Sequence, residues 1–354
     1  MNDQHAVSVL LFCALALGAT LPAQAACEAD GKAEFICGLK SPEDLAQVPG
    51  SEWVMVSGMA DAQSHRGQLY AVNSRDKSFK SIYPLESSQP RHDKKTYGAC
   101  PGPLANGEFG AHGIDVKRGA NGVHTLYAVN HAGRESFEVF ELNAKGREPA
   151  LTWVGCVIYP AGTSGNGIVA LPDGGIATTN FKDPADSNAF QKMTAGQITG
   201  NVLEWHADKG WTTLPDSAMS GPNGIVVTPD GKSLYVAGWP GKSVTRFERG
   251  AATPKKETIA TGILTDNLRW MADGSILAGG QDGDMPGVFQ CRPPECRIGS
   301  AAVKIDPRTQ KATRVAAYPG SAGFEGATTS LEVGQEIWMG SFRGERILRL
   351  PAQP

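Results

Sequence analysis

The chain has 354 residues, with 33 Lys and Arg against 36 Asp and Glu, a formal net charge of −3, and charged side chains at only 19% of positions. With no run of like charge, this balance excludes an extended nucleic-acid surface or an anionic-membrane surface, both of which need clustered cations. The 43 Gly and 23 Pro argue against a helical bundle and for many short strands joined by tight turns.

The first segment in chain order reads as a signal peptide, residues 1–25. Its apolar run from Val7 to Leu17 is followed by Pro22 and the small-x-small site Ala23-Gln24-Ala25, although no Lys or Arg precedes the run and His5 is the one candidate cation there. Gln24 stands three residues before Cys27, where a lipid-attachment signal requires a Leu-like residue. The run is too short for a bilayer and no later stretch approaches about 18 apolar residues. The expectation is an exported mature chain, 26–354, periplasmic or secreted, without membrane anchoring.

Apart from Cys13 in the signal, six cysteines remain: Cys27, Cys37, Cys100, Cys156, Cys291 and Cys296. An even number in an exported chain predicts disulfides, and sequence does not choose among the pairings. Proximity favours Cys27 with Cys37 and Cys291 with Cys296, leaving Cys100 for Cys156. No Cys/His cluster has zinc-ligand spacing.

From Pro42 onward one phrase recurs about every 45 to 70 residues: an acid or amide, a Gly or apolar partner, then a strand, a turn and a second strand. It reads PEDLAQVPGSEWVMVSG from Pro42, AHGIDVKRGANGVHTLYAVNH from Ala111 and GNGIVALPDGGIATTN from Gly165. It returns as PNGIVVTPDGKSLYVAG from Pro222, TDNLRWMADGSILAGG from Thr265 and EGATTSLEVGQEIWMGS from Glu325. Asp-Gly or Asn-Gly at the turns is hairpin chemistry. Outer strands follow, such as Ser136 to Leu142 and Val244 to Glu248. Six copies predict an all-β fold, a single six-bladed β-propeller domain over 26–354. Three segments break the rhythm: Ser87 to Phe109, Lys182 to Gly200 with a short helix from Asp186 to Ala195, and Gln281 to Gly299. Long loops in a compact domain are commonly binding loops, which places all three at the channel mouth.

Innermost propeller strands begin near one end of the central channel, so the openers of the phrases should converge. Glu43, Asn166, Asn223, Asp266 and Asn267 are hard oxygen donors, a mixture suited to Ca²⁺ and poorly suited to zinc or copper. Each Asn-Gly alone also suits an ordinary turn; its recurrence at one place in the phrase does not. His112 and His131 bracket one phrase around the turn Asn121-Gly122, so a hairpin would set them side by side as a dyad able to take a proton from water. A lone strand His is more often structural. No GxSxG elbow or phosphate-cradling loop is present.

At these residues the chain resembles the serum paraoxonase (arylesterase) family, within the wider superfamily of calcium-dependent gluconolactonase and strictosidine-synthase-like propellers. PEDL at Pro42, AHGID with LYAVNH and EVFEL, SGNGIVAL at Ser164, PNGIVVTPDGKSLYVA at Pro222 and LTDNL at Leu264 carry the resemblance over Pro42 to Leu350. It implies one catalytic Ca²⁺ held by Glu43, Asn166, Asn223, Asp266 and Asn267, with His112 and His131 acting on a hydrolytic water. It also implies a second, structural Ca²⁺ held by an acid aligning with Asp44, a carbonyl aligning with Ile114, and an Asp where this chain has Gly167. With that carboxylate gone, the resemblance does not carry the second ion. A His and an Asp of the family pocket align with Gln281 and Phe181, so phosphotriesterase-like side activities are not implied. The family's disulfide joining the chain ends has no counterpart, and closure falls to strand pairing by Lys32 to Cys37 in the last blade. The segment matching the family's lipid-binding lid, Asp183 to Asn201, is polar.

The expected function is a calcium-dependent lactonase or arylesterase acting on a small ester or lactone as a monomer, with Trp239 and Phe181 lining an apolar pocket. A sugar-acid lactonase, a lyase or condensing enzyme on the same ion, or a non-enzymatic ligand-binding propeller are the alternatives. The first two kinds would not need His112.

Overall fold

Alternating apolar residues on either side of a tight turn make a hairpin, and six such hairpins radiate from one axis. The computed structural model describes residues 28–60, 66–84, 89–105, 108–253, 255–291, 297–321 and 323–352. The expected signal peptide and Cys27 lie outside them, as does Cys296. Among the described residues no helix is long and apolar enough to cross a membrane.

The first strand, β1 (Glu34–Cys37), belongs to the last blade. Blade 1 is β2 (Pro42–Gln47), β3 (Trp53–Gly58), β4 (Gln68–Asn73) and β5 (Phe79–Tyr83). Blade 2 is β6 (Ala111–Lys117), β7 (Val123–Asn130), β8 (Ser136–Asn143) and β9 (Ala150–Ile158). Blade 3 is β10 (Ser164–Ala170), β11 (Ile176–Lys182), β12 (Asn201–His206) and β13 (Gly210–Thr213), with α1 (Ala189–Thr194) between its second and third strands. Blade 4 is β14 (Pro222–Val227), β15 (Ser233–Gly238), β16 (Ser243–Glu248) and β17 (Lys256–Ala260). Blade 5 is β18 (Leu264–Trp270), β19 (Ile276–Asp282), β20 (Gly299–Asp306) and β21 (Lys311–Tyr318), with α2 (Met285–Gln290) before β20. Blade 6 is β22 (Thr329–Val333), β23 (Glu336–Gly340) and β24 (Arg346–Pro351), completed on its outside by β1. All six sheets are four-stranded and antiparallel, as the six phrases predict; five are meanders and the sixth takes its outer strand from β1.

Sequence dictates this locally. In β3, β14 and β15 every residue is buried, because blades pack on both faces of the inner strands. Asn121 and Gly122 take φ of +53° and +69°, the left-handed pair that turns β6 into β7 with the twist of the strands. Apolar clusters fill the wedges between neighbouring blades, one of them joining Leu45 and Val56 of blade 1 to Leu331 and Trp338 of blade 6.

The ring closes as expected from the sequence, through β1. Glu34 pairs with Arg349 and Cys37 with Arg346, so the N-terminal strand and the last three strands share one sheet and the propeller has no open seam. Cys100 and Cys156 form the expected disulfide, with Cα atoms 5.3 Å apart. Cys37 and Cys291 are each disulfide-bonded.

One expectation needs correction. The segment 89–105 does not line the channel mouth; Arg91 and Asp93 donate backbone N–H groups to Trp153 and Val154 of β9, at 2.9 and 2.8 Å. An outer strand has unpaired carbonyls that the loop satisfies, and the Cys100–Cys156 bond holds it there. The other two segments behave differently. α1 and α2 meet through Phe190 and Phe289, ring centres 4.8 Å apart, and Phe289 lies 5.9 Å from Trp239, at the opener end of blades 4 and 5.

Candidate active site

Five inner strands share one irregularity. Their pairing register shifts where the phrase opens: between Pro42 and Asp44, Ala111 and Ile114, Gly165 and Ile168, Pro222 and Ile225, and Thr265 and Leu268. A β-bulge adds a residue and re-aims the side chains around it. Asn166-Gly167 and Asn223-Gly224 therefore sit within β10 and β14 and are not turns. Their glycines serve close approach: a Cβ on Gly224 would lie 2.5 Å from the Asp266 carbonyl oxygen, and one on Gly113 would lie 2.2 Å from that of Asn166. Bare backbone at these points lets adjacent inner strands close on a narrow channel.

The five oxygen residues are all buried, none more than 5% exposed. Asn267 Nδ2 donates to Glu43 Oε1 at 2.7 Å, joining blade 5 to blade 1 across the closure. Gln281 Nε2 donates to Asp266 Oδ2 at 2.9 Å, and Asn223 also bonds this carboxyl. His112 Nε2 lies 3.5 Å from Asn166 Nδ2 and 3.7 Å from Glu43 Oε1. Sequence-distant openers are thus brought into one cluster with His112.

Two properties of that cluster bear on a cation. Glu43 Oε2, Asn166 Oδ1 and Asn223 Oδ1 are buried oxygens with no hydrogen-bond partner. Burying an acceptor unpaired costs about 1–3 kcal/mol, so three in one place on three blades call for an electropositive occupant. The carboxyls tell the same story. Burial, then the charges of Asp44 and Asp266, push the Glu43 pKa well above its ordinary value, and burial with Asp44 pushes Asp266 up to about 8 against the bonds from Gln281 and Asn223. Neither forms an ion pair with Lys or Arg among the described residues. Two carboxylates and several amide oxygens make a hard donor set, and no group of three or more His, Cys, Asp or Glu with metal-binding placement occurs among the described residues. The donors fit Ca²⁺.

The two histidines stand as the hairpin predicts. His112 Nδ1 is 2.9 Å from His131 Nε2. Sequence reasoning missed the third member: His131 Nδ1 lies 3.0 and 2.9 Å from the two Glu135 carboxylate oxygens. Residues 131–135 are the turn between β7 and β8, and its two ends face each other; a carboxylate four residues after the His was the available signal. Burial, then the neighbouring His131, push the His112 pKa down to about 3.

Gln281 is fully buried and bridges the cluster to the mouth, accepting from Trp239 Nε1 at 2.6 Å while donating to Asp266. Trp239 and Phe181, expected to line an apolar pocket, have ring centres 5.9 Å apart, and Phe190 and Phe289 extend them into a partly exposed aromatic rim. Glu325, opener of the sixth phrase, lies before β22 and pairs with Arg343 at 3.2 Å.

No family model matches the chain, and no curated protein matches it. Among solved structures, a luciferin-regenerating enzyme superposes with a TM-score of 0.54 at 12% identity, covering 90% of this chain and 95% of that one. A catalytically inactive virginiamycin B lyase from Staphylococcus aureus with quinupristin superposes with a TM-score of 0.51 at 11% identity, covering 91% and 99%. At such identities the likeness is one of fold: this chain is a propeller of the kind on which these enzymes are built.

Proposed function

We propose that the chain is an exported, calcium-dependent hydrolase of lactones or aryl esters. One observation carries this reading: blades 1, 3 and 4 each bury an oxygen that has no partner, on Glu43, Asn166 and Asn223, and two of these residues approach Nε2 of His112 on blade 2, Glu43 through Oε1 at 3.7 Å and Asn166 through Nδ2 at 3.5 Å. Glu43, Asn166, Asn223, Asp266 and Asn267 would hold the ion. When bound, Ca²⁺ supplies a Lewis acid for a carbonyl oxygen and for the negative charge that gathers on it.

The protein's own groups handle the proton. Glu135 accepts from His131 Nδ1–H, which leaves His131 Nε2 unprotonated and able to accept from His112 Nδ1–H. His112 Nε2 is then the unprotonated nitrogen, with Asn166 Nδ2 at 3.5 Å and Glu43 Oε1 at 3.7 Å beside it. As water attacks the ester carbonyl, its proton passes to His112 Nε2 while the Nδ1 proton moves to His131, and the positive charge comes to rest beside Glu135. Alone, His112 would be a weak base, because burial disfavours its cation. The relay removes that handicap. When the acyl C–O bond breaks, the protons return along the same path to the departing alkoxide or phenolate, so ester and water give acid and alcohol. The aromatic rim of Phe181, Phe190, Trp239 and Phe289 favours an apolar acyl or aryl group beside the reacting carbonyl.

The test is turnover of a panel of lactones and aryl esters by purified protein with calcium and with chelator, in wild type and His112→Gln. Hydrolysis that needs both calcium and His112 supports the reading. Calcium-dependent turnover that survives His112→Gln would point to a sugar-acid lactonase that does not use this base, and bound calcium without any turnover of the panel to a lyase, a condensing enzyme or a binding propeller.

A further inference from the structure

Directly beside Glu43, the next residue of β2 meets the opposite fate. Every acceptor direction of the Asp44 carboxylate is used: Oδ1 takes the Leu45 N–H at 2.9 Å and the Thr329 hydroxyl at 3.0 Å, while Oδ2 takes the Ile114 N–H at 3.0 Å and Arg269 Nη2 at 2.6 Å. Arg269 belongs to the inner strand of blade 5, two residues beyond Asn267, and reaches across the channel to blades 1 and 2. Its Nη2 also donates to the Ile114 carbonyl at 2.9 Å, its Nε to the Leu45 carbonyl at 2.6 Å and its Nη1 to its neighbour's carbonyl at 2.8 Å. The ion pair is buried, with 13% of the Arg269 side chain and 2% of the Asp44 side chain exposed.

These are the donors that a second ion would require, and they do not fit one. The carboxylate and the Ile114 carbonyl are already bonded to a guanidinium. Gly167 brings no side-chain ligand, and a Cβ there would lie 2.7 Å from the Asn223 carbonyl oxygen, so an ion replacing the guanidinium would complete its shell with backbone oxygens and water. Arg269 also acts electrostatically on Glu43 and on half-buried Asp115, whose carboxylate accepts the Ala170 N–H at 2.8 Å. One fixed positive charge therefore pairs with one carboxylate and acts at longer range on two more. Unlike Lys, Arg keeps its charge when buried and its planar fork suits several oxygens at once.

We propose that Arg269 is a permanent internal cation that stands in place of a second divalent ion, so that the channel holds one exchangeable ion among the openers and one covalently tethered charge beside Asp44. The proposal rests on the calcium reading of the opener cluster, and its test separates the two. Wild-type protein stripped of metal and re-equilibrated in millimolar calcium is weighed by native mass spectrometry, with metal content measured in parallel. One calcium per chain is expected. Two would overturn the proposal; none would remove the calcium reading on which it rests.

In Arg269→Ala, Asp44 loses its counter-charge and the site opens. This variant is expected to take up a second calcium, or to melt at a temperature that rises with calcium more steeply than wild type. A single ion and an unchanged calcium dependence of melting would overturn the proposal. Should Arg269→Ala fail to fold, Arg269→Met combined with Asp44→Asn removes both charges together. That pair variant must fold and bind one ion, and a second ion in it would be equally fatal to the idea.

Discussion

Glu135 Oε2 lies 2.9 Å from His131 Nδ1, on the side of the imidazole away from His112. This fixes which nitrogen of His131 can accept a proton from its neighbour, so in the proposed dyad Glu135 serves as a positioning residue. Glu135→Gln keeps the shape and an acceptor but removes the charge that balances the imidazolium. It is expected to lower kcat by about 10- to 100-fold with little change in KM, as loss of an outer partner of a functional His commonly does. Steady-state kinetics with measured calcium content checks this. A parallel fall in calcium content would mark Glu135 as structural instead.

Removing the proposed base and removing a proposed ligand should fail in different ways. His112→Gln is expected to retain calcium and lose about 10²- to 10⁴-fold in kcat. Asn223→Ala and Asp266→Ala are expected to lose calcium and activity together, and to lose the thermal stabilisation that a ligand bound only by the folded state confers. Calorimetric melting with and without calcium separates the two classes. Calcium retained at wild-type affinity by Asp266→Ala would remove it from the ligand set.

Gly224 tests the link between blade packing and the cluster. The Cβ of Gly224→Ala would press on the Asp266 carbonyl and Asn267 Cα, both backbone atoms at 2.5 Å. Overpacking of this kind costs roughly 1–3 kcal/mol, and here it pushes directly on two proposed ligands. A lower unfolding midpoint together with weaker calcium binding is expected. A variant with wild-type calcium affinity would mean that the spacing between blades 4 and 5 does not set the site.

The six blades were legible in the chain because a hairpin writes itself locally: two apolar runs and a turn such as Asn121-Gly122. The openers were legible for the same reason, since a propeller puts equivalent positions of every repeat at one end of the channel. His112 and His131 followed from the hairpin between them. What was not legible depends on contacts between blades or on irregular backbone. Arg269 meets Asp44 across 225 positions, and nothing near Arg269 in sequence reveals that partner. The bulges that turn Asn-Gly from a loop dipeptide into channel lining arise from pairing with the second strand. The placement of 89–105 along β9 followed from the needs of a strand edge, which the chain does not announce.

Ring closure carries its own acid sensitivity. Glu336 of β23 accepts from Arg349 of β24 at 2.6 Å and pairs with Lys77 of blade 1 at 3.2 Å. Burial raises its pKa, but the bonds from Arg349 and Trp338 outweigh burial and hold it down at about 2. A depressed carboxyl stabilises the fold above its unfolded value of 4.5 and loses that contribution as pH falls through about 2. Glu336→Gln should therefore cost roughly 1–2 kcal/mol near neutral pH, after allowing for partial solvent screening, and flatten the loss of stability between these values. Denaturant unfolding over this pH window checks it. An unchanged slope would show that closure does not depend on this ion pair.

The proposed requirement of hydrolysis is a calcium ion held by the opener oxygens. It is tested most directly by following the best lactone or aryl ester of the panel while calcium is withdrawn with chelator and restored, with bound metal measured at each step. Activity should fall with bound calcium, return when one equivalent is restored, and stay absent when Asn223→Ala is treated in the same way. Undiminished hydrolysis by protein shown to be free of calcium would contradict the account.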